Sequence, residues 1–324
     1  MTTVKTAEQG LTAAWLSAAE VTAINVVLDG LPSVHSRRAY QRALSDFFRW
    51  HRAQQTTEQH RPALGKALVQ AYAANLRDAG LSAASINQRL SAIRKLATEA
   101  ADNGWLDPLL ASGIRAVKGA RQEGRRAGNW LTRDEAQTWL NAPDPATLKG
   151  LRDRALLSVL IGCGLRRAEA AGLTFNHVQQ RDGRWVLVDL IGKRDRVRSV
   201  PMPAWAKGAI DAWSDAASIH AASNIKAGYI FRPVNKSDCL AGDGMTPQAI
   251  RNIVCEYAAK LGNNGVAPHD LRRTFAKLAH KGGSGLDQIQ LSLGHHSILT
   301  TERYLGVEQD LTDAPCVHLG LRLG

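Results

Sequence analysis

Apolar residues recur every three to four positions through most of the chain, a period that predicts a mainly helical protein. In RRAYQRALSDFFRWH, Tyr40, Leu44, Phe47 and Phe48 fall on one face and Arg37, Arg38 and Arg42 on the others, with Ser36 placed to cap the helix start. In SAASINQRLSAIRKLATEA, Ile86, Leu90, Ile93 and Ala97 form a stripe opposite Arg89, Arg94 and Lys95. These helices predict a small bundle with a basic outer surface. The periodicity lapses in VKGARQEGRRAGN, where Gly119, Gly124 and Gly128 alternate with Lys118, Arg121, Arg125 and Arg126, as a flexible basic linker would. A domain boundary is expected there.

Beyond the linker, Thr132 followed three residues later by Glu135 predicts a capping box at a new helix. RDRALLSVLIGCGL reads as a buried helix, and RWVLVDLIGKRDRVRSVPM as two β-rich runs joined by a polar turn with Lys193 at its tip. Helical patterns return near 203–217, 246–261, 270–281 and 285–293. The expected fold class is therefore mainly α with a small antiparallel β-sheet, in two domains. The chain shows neither an internal repeat nor a low-complexity tract.

Charge then narrows the partner. At 324 residues and 44% apolar content the chain is long enough for two cores, and its formal net charge of +12 points to a polyanion. Residues 1–125 and the remainder each carry an excess of +6, so both halves are suited to touch it. No run approaches the roughly 18–20 apolar residues that span a bilayer, and Glu8, Gln9 and Glu20 interrupt the N-terminal segment, unlike a secretory signal. A soluble intracellular protein without a membrane partner is expected. Cys163, Cys239, Cys255 and Cys316 are too scattered for a zinc site or a disulfide framework, which fits a reducing compartment.

Four separated motifs carry candidate chemistry. GCGLRRAEAAGL places Arg166 and Glu169 three apart, as on one helical face. IGKRDRVRSVP offers Lys193, PHDLRRTFA offers His269 and Arg272, and LGHHSILTTERY offers His295 and Tyr304. Each has an ordinary reading alone: Arg166 a solvated or capping arginine, Lys193 a hairpin-tip lysine, His269 a helix cap, Tyr304 a packing residue. His295 and His296 lack a third ligand at metal-binding spacing. The ordinary readings give no reason for all of these residue types to occur in this order.

Taken together, the motifs resemble those of the tyrosine recombinases, the family of phage-type integrases, Xer-like resolvases and mobile-element recombinases. Gly164, Leu165, Arg166 and Glu169 meet its G-L-R-x-x-E pattern, and Gly192, Lys193, Arg198, Val200 and Pro201 meet its hairpin pattern. His269, Leu271 and Arg272 meet H-x-L-R, and Leu293, Gly294 and His295 meet L-G-H, with Tyr304 nine residues after the histidine. Arg273 stands where many relatives carry a second histidine, and Arg167 where an aliphatic residue is usual; both read as subfamily variation.

The resemblance implies a two-domain clamp on double-stranded DNA. Residues 31–117 would form a helical, SAM-like core-binding domain and 130–304 the catalytic domain, joined by the linker 118–129. Segment 1–30 has no assigned role; the tail 305–324, with Val317, Leu319 and Leu321, would dock on a neighbouring protomer, or else be a disordered or self-packed terminus. The expected activity is site-specific recombination through a 3′-phosphotyrosyl intermediate, by four protomers on two sites, without ATP or metal. Forked arginines at Arg166 and Arg272 suit a phosphodiester's developing charge, with Glu169 orienting Arg166. His269 is the expected base for Tyr304, His295 is expected to hydrogen-bond the phosphate or assist that base, and Lys193 is the acid that protonates the departing 5′ oxygen. Arg37, Arg38, Arg42, Arg89, Arg94, Lys95, Lys118, Arg121, Arg125 and Arg126 are the candidate DNA contacts. Two rivals are a type IB topoisomerase-like relaxing enzyme and a catalytically decayed DNA-binding protein; the short helical first domain opposes the former, the complete residue set the latter.

Overall fold

The computed structural model describes residues 16–54, 63–121, 129–192, 196–221 and 228–305. The chain divides into two compact units, Met1–Arg125 and Arg126–Gly324.

The first unit holds α1 (Ala18–Asp29), α2 (Val34–Ala53), α3 (Lys66–Asp78), α4 (Ala83–Asp102) and α5 (Pro108–Arg115). Ser33, not Ser36, caps α2: its backbone is extended, and its Oγ accepts from the Ser36 amide at 3.5 Å. Ser36 is the third residue of the helix, one of the orphan donors that a cap must satisfy rather than the cap itself. Leu44, Phe47, Ile86, Leu90 and Ile93 are buried as the stripes predict, with Tyr72 and Ile114 between them. α1 lies within segment 1–30 and adds Ile24 and Val27 to the same core.

The second unit holds α6 (Arg133–Asn141), α7 (Leu148–Gly162), α8 (Arg167–Ala171), β1 (Val178–Arg181), β2 (Arg184–Ile191), β3 (Val197–Pro201) and α9 (Ala204–Ala221). It continues with α10 (Pro247–Lys260), α11 (Pro268–Lys281), α12 (Leu286–Leu293) and α13 (Ile298–Leu305). The Thr132 capping box forms: Glu135 Oε2 accepts from the Thr132 amide at 2.7 Å, and Thr132 Oγ1 from the Glu135 amide at 3.3 Å. α7 runs through the core, which includes the fully buried Trp139 and Trp213. The sheet is antiparallel in the order β1-β2-β3. The sequence pattern shows β2 and β3; β1 is a short, mostly exposed edge strand with no apolar alternation to reveal it. Among the described residues no helix is long and apolar enough to cross a membrane.

A small satellite cluster of Ala276, Ile289, Leu293 and Leu305 ties α11, α12 and α13 together. α13, which sequence periodicity does not predict, turns Thr301 and Leu305 inward at helical spacing, and Tyr304 packs beside them.

Candidate active site

The site is assembled at helix ends. α7 stops at Gly162, and Gly164 follows at φ +60, where an added Cβ would lie 2.5 Å from a Phe275 ring carbon. Only glycine fits this position, and the Gly164 carbonyl accepts from Arg272 Nη1 at 2.6 Å.

Arg166 does not sit on a helical face with Glu169. It is the N-cap residue of α8, extended at φ −72 and ψ 149, because a helix start requires a non-helical residue there. The expected pairing arises by capping instead: Glu169 reaches back so that Oε2 accepts from the Arg166 amide and Oε1 from Arg166 Nη1, both at 2.7 Å. Arg198 on β3 grips the same carboxylate through both Nη atoms, at 2.8 and 2.9 Å. Burial would raise the Glu169 carboxyl, but the bonds and charge of Arg198, then the bonds from Arg166, overturn that and hold it at about 2.

The end of α12 completes the cluster. The last carbonyls of a helix lack intrahelical partners and carry its negative dipole end, so cations settle there. Arg198 Nε donates to the Ser292 carbonyl at 2.9 Å, Arg166 Nη2 to that of Leu293 at 3.4 Å, and Arg272 Nη2 also to Leu293. Gly294 then takes the left-handed conformation at φ 61, and its missing Cβ would fall 2.9 Å from Arg198 Cδ. Arg272 is buried, yet its two carbonyl bonds occupy only two of five donors.

His295 follows directly, its Nδ1 3.0 Å from the buried Thr301 hydroxyl. Burial, then the charges of Arg272 and Arg166, push its imidazole down to about 4, which keeps it neutral near pH 7. His269 does not cap α11: Ala267 is the N-cap, and its amide donates to Asp270 Oδ2 at 3.0 Å. Burial, then Arg273 and Arg272, also lower the His269 imidazole. Tyr304 stands between the two histidines, each ring centroid 5.3 Å from its own and roughly perpendicular to it. Its hydroxyl donates to the His269 backbone carbonyl at 3.2 Å, and the Arg273 guanidinium carbon lies 5.1 Å from the ring centroid. Burial pushes the phenol up to about 12, against the opposing pull of Arg272 and Arg273.

Five of the six sequence-predicted catalytic residues thus converge; Lys193 lies outside the described residues. Sequence reasoning gave no site role to Arg198 or Arg273. The available signals were the place of Arg198 in the hairpin motif and the four-residue spacing of Arg273 from His269. His296 meets Arg196 Nη2 at 2.8 Å, and among the described residues no group of three or more His, Cys, Asp or Glu could hold a metal ion.

The candidate DNA contacts differ in how much of each is committed elsewhere. Arg37, Arg38 and Arg42 are exposed on α2, Arg37 Nε donating to the Leu31 carbonyl, and Lys118 and Arg121 are exposed beyond α5. Arg89 is 3.6 Å from Asp46, Arg94 donates to the Val117 carbonyl, and Lys95 pairs with Glu99. Arg125, Arg126 and the tail 306–324 lie outside the described residues.

Two clustered arginines, two neutral imidazoles and a phenol suit a tetrahedral anion under nucleophilic attack. The model for the phage integrase family matches residues 129–310, and that for the phage integrase N-terminal SAM-like domain matches 28–104. The chain is 32% identical over 273 residues to tyrosine recombinase XerC of Xylella fastidiosa (strain M23), covering 84% of this chain and 86% of that one. A solved XerH site-specific recombinase bound to difH substrate, in a pre-cleavage complex, shares the fold at TM-score 0.63 and 20% identity, over 85% of this chain and 76% of its own. A lambda integrase dimer bound to a COC′ core site does so at TM-score 0.65 and 17% identity, over 90% of this chain and 78% of its own.

Proposed function

Since the chain belongs to the phage integrase family of tyrosine recombinases, we propose that it cleaves and rejoins double-stranded DNA at specific sites with Tyr304 as nucleophile. It is a site-specific recombinase, and the relaxing enzyme and the decayed binder are not favoured. The observation that carries the residue roles is that His269 and His295 flank the Tyr304 ring while Arg166 and Arg272, meeting at the Leu293 carbonyl, are close enough to bear on its hydroxyl.

Tyr304 Oη attacks the phosphorus, forming the P–Oη bond as the P–O5′ bond breaks. The phenolic proton passes to the neutral His269 imidazole, and the 5′ oxygen takes a proton from Lys193, so charge does not accumulate on either oxygen. In the resting arrangement the hydroxyl is parked on the His269 carbonyl, one residue's backbone away from that residue's ring. The free donors of Arg166 and Arg272 bind the non-bridging oxygens, and Glu169 with Arg198 keeps Arg166 aimed. Exchange of one phosphoester for another conserves the bond energy, so religation to a partner strand needs no ATP and no metal-activated water.

Arg37, Arg38, Arg42, Lys118 and Arg121 are the candidates for docking phosphates, since they are exposed. Four protomers hold two sites in the synaptic complex. The test is Tyr304→Phe on a nicked suicide substrate: DNA affinity stays near wild type, and the covalent protein–DNA adduct disappears. An adduct that persists would place the nucleophile elsewhere.

A further inference from the structure

We propose that Arg273 is a positioning residue for the nucleophile: its guanidinium seats the Tyr304 ring and stabilises the phenolate formed as the hydroxyl gives up its proton. This rests on the reading of Tyr304 as nucleophile. The guanidinium carbon lies 5.1 Å from the ring centroid, within the range where a cation is drawn to an aromatic system. Arg273 Nε is buried without a hydrogen-bond partner, and no ion pair to Arg273 forms among the described residues. A guanidinium held partly out of water with no carboxylate needs another source of stabilisation, and the Tyr304 ring is placed to supply it.

The neighbouring cations are committed differently. Arg166 and Arg272 spend donors on Glu169 and on the Gly164 and Leu293 carbonyls, and the phosphate of the proposed substrate would offset their charge. Lys277 and Lys281, one and two turns further along α11, turn instead to the Trp130 ring, at 4.7 and 4.9 Å. Arg273 is therefore the cation of that row that faces the nucleophile. The charged and titratable groups around the phenol are His269, Asp270, Arg272 and Arg273 from α11, Arg166 before α8 and His295 after α12; among them Arg272, then Arg273 and Arg166, favour ionisation, and Asp270 opposes it. The same residue lies one helical turn from His269 and lowers its imidazole, which keeps the proposed base neutral and able to accept.

The test is single-turnover cleavage, from pH 6 to pH 10, of a suicide strand whose 5′ bridging oxygen is replaced by sulfur. The thiolate leaves without a proton, so the rate reports on nucleophile activation alone. Arg273→Met, which keeps the length and loses the charge, is expected to cleave about 5- to 30-fold more slowly near pH 7, with a deficit that grows towards pH 6 as His269, relieved of the Arg273 charge, takes up a proton, and that levels off towards pH 10 because the phenol stays protonated in both proteins. Arg273→Lys is expected to keep the wild-type pH profile at an intermediate rate, because it retains the cation and loses the planar stack. DNA affinity should stay within about twofold for both, which also reports that they fold; if Arg273→Met does not fold, the pH profile of Arg273→Lys decides. Wild-type rates in Arg273→Met would overturn the proposal. A pH-independent loss with weaker DNA binding, or a shifted profile in Arg273→Lys, would do the same and assign Arg273 to phosphate contact. Failure of the wild-type protein to form an adduct would instead sink the assignment of Tyr304.

Discussion

Replacing Glu169 by Gln removes one negative charge from the centre of the arginine cluster while keeping the side chain's size. In the native site its two oxygens take four hydrogen bonds, from the Arg166 amide, Arg166 Nη1 and both Arg198 Nη atoms. Guanidinium groups only donate, so the new amide NH2 would face donors with nothing to accept them. The carboxyl falls from an ordinary 4.5 to about 2 on folding, and at about 1.4 kcal/mol per pH unit this linkage is worth about 3 kcal/mol. The side chain is 5% exposed, so solvent screening removes little of that figure. Because the folded-state value is depressed, the contribution is complete above about pH 4.5 and is lost as pH falls towards 2, where the folded state also takes up the proton. Amide hydrogen exchange over residues 164–172 reads the local opening free energy directly. Glu169→Gln should lower it by about 3 kcal/mol at pH 7, with the difference from wild type shrinking below pH 4.5. A difference under about 1 kcal/mol at pH 7, or one that does not shrink in acid, would refute the view that this carboxylate holds the cluster together.

Lys193→Ala should cleave ordinary DNA poorly and approach wild type on a strand with 5′ bridging sulfur, measured as single-turnover adduct formation; equal impairment on both would limit Lys193 to phosphate binding. Gly294→Ala should destabilise the second unit by about 1–2 kcal/mol, from the left-handed backbone alone, and more if Arg198 cannot yield to the new Cβ. Urea unfolding measures it, and an unchanged midpoint would mean that the α12 terminus relaxes without cost.

Local spacing shows most of the helices and the motifs that carry the family resemblance. Periods of three to four residues specify α2, α4 and most helices of the second unit, because a helix must bury one face whatever it packs against. The order of Arg166, Lys193, His269, Arg272, His295 and Tyr304 likewise matches the motifs of the tyrosine recombinases, and that resemblance points to the reaction class. Contacts between residues far apart in the chain are another matter. Arg198 meets Glu169 across 29 residues, and Arg272 meets Gly164 across 108, so neither pairing has a sequence period to reveal it. Arg89 and Arg94 look like solvent-facing cations opposite the apolar stripe, yet the bundle brings Asp46 and the Val117 carbonyl to them. Even Arg166 and Glu169, correctly paired by spacing, are joined through a helix start rather than along a helix, because Gly164 breaks the chain's direction just before them. Arg273, indistinguishable in sequence from a solvated arginine, reaches the Tyr304 ring only because α13 folds back over α11, burying Thr301 and Leu305; the apolar surface gained there, and not any local preference, places the phenol under the cation.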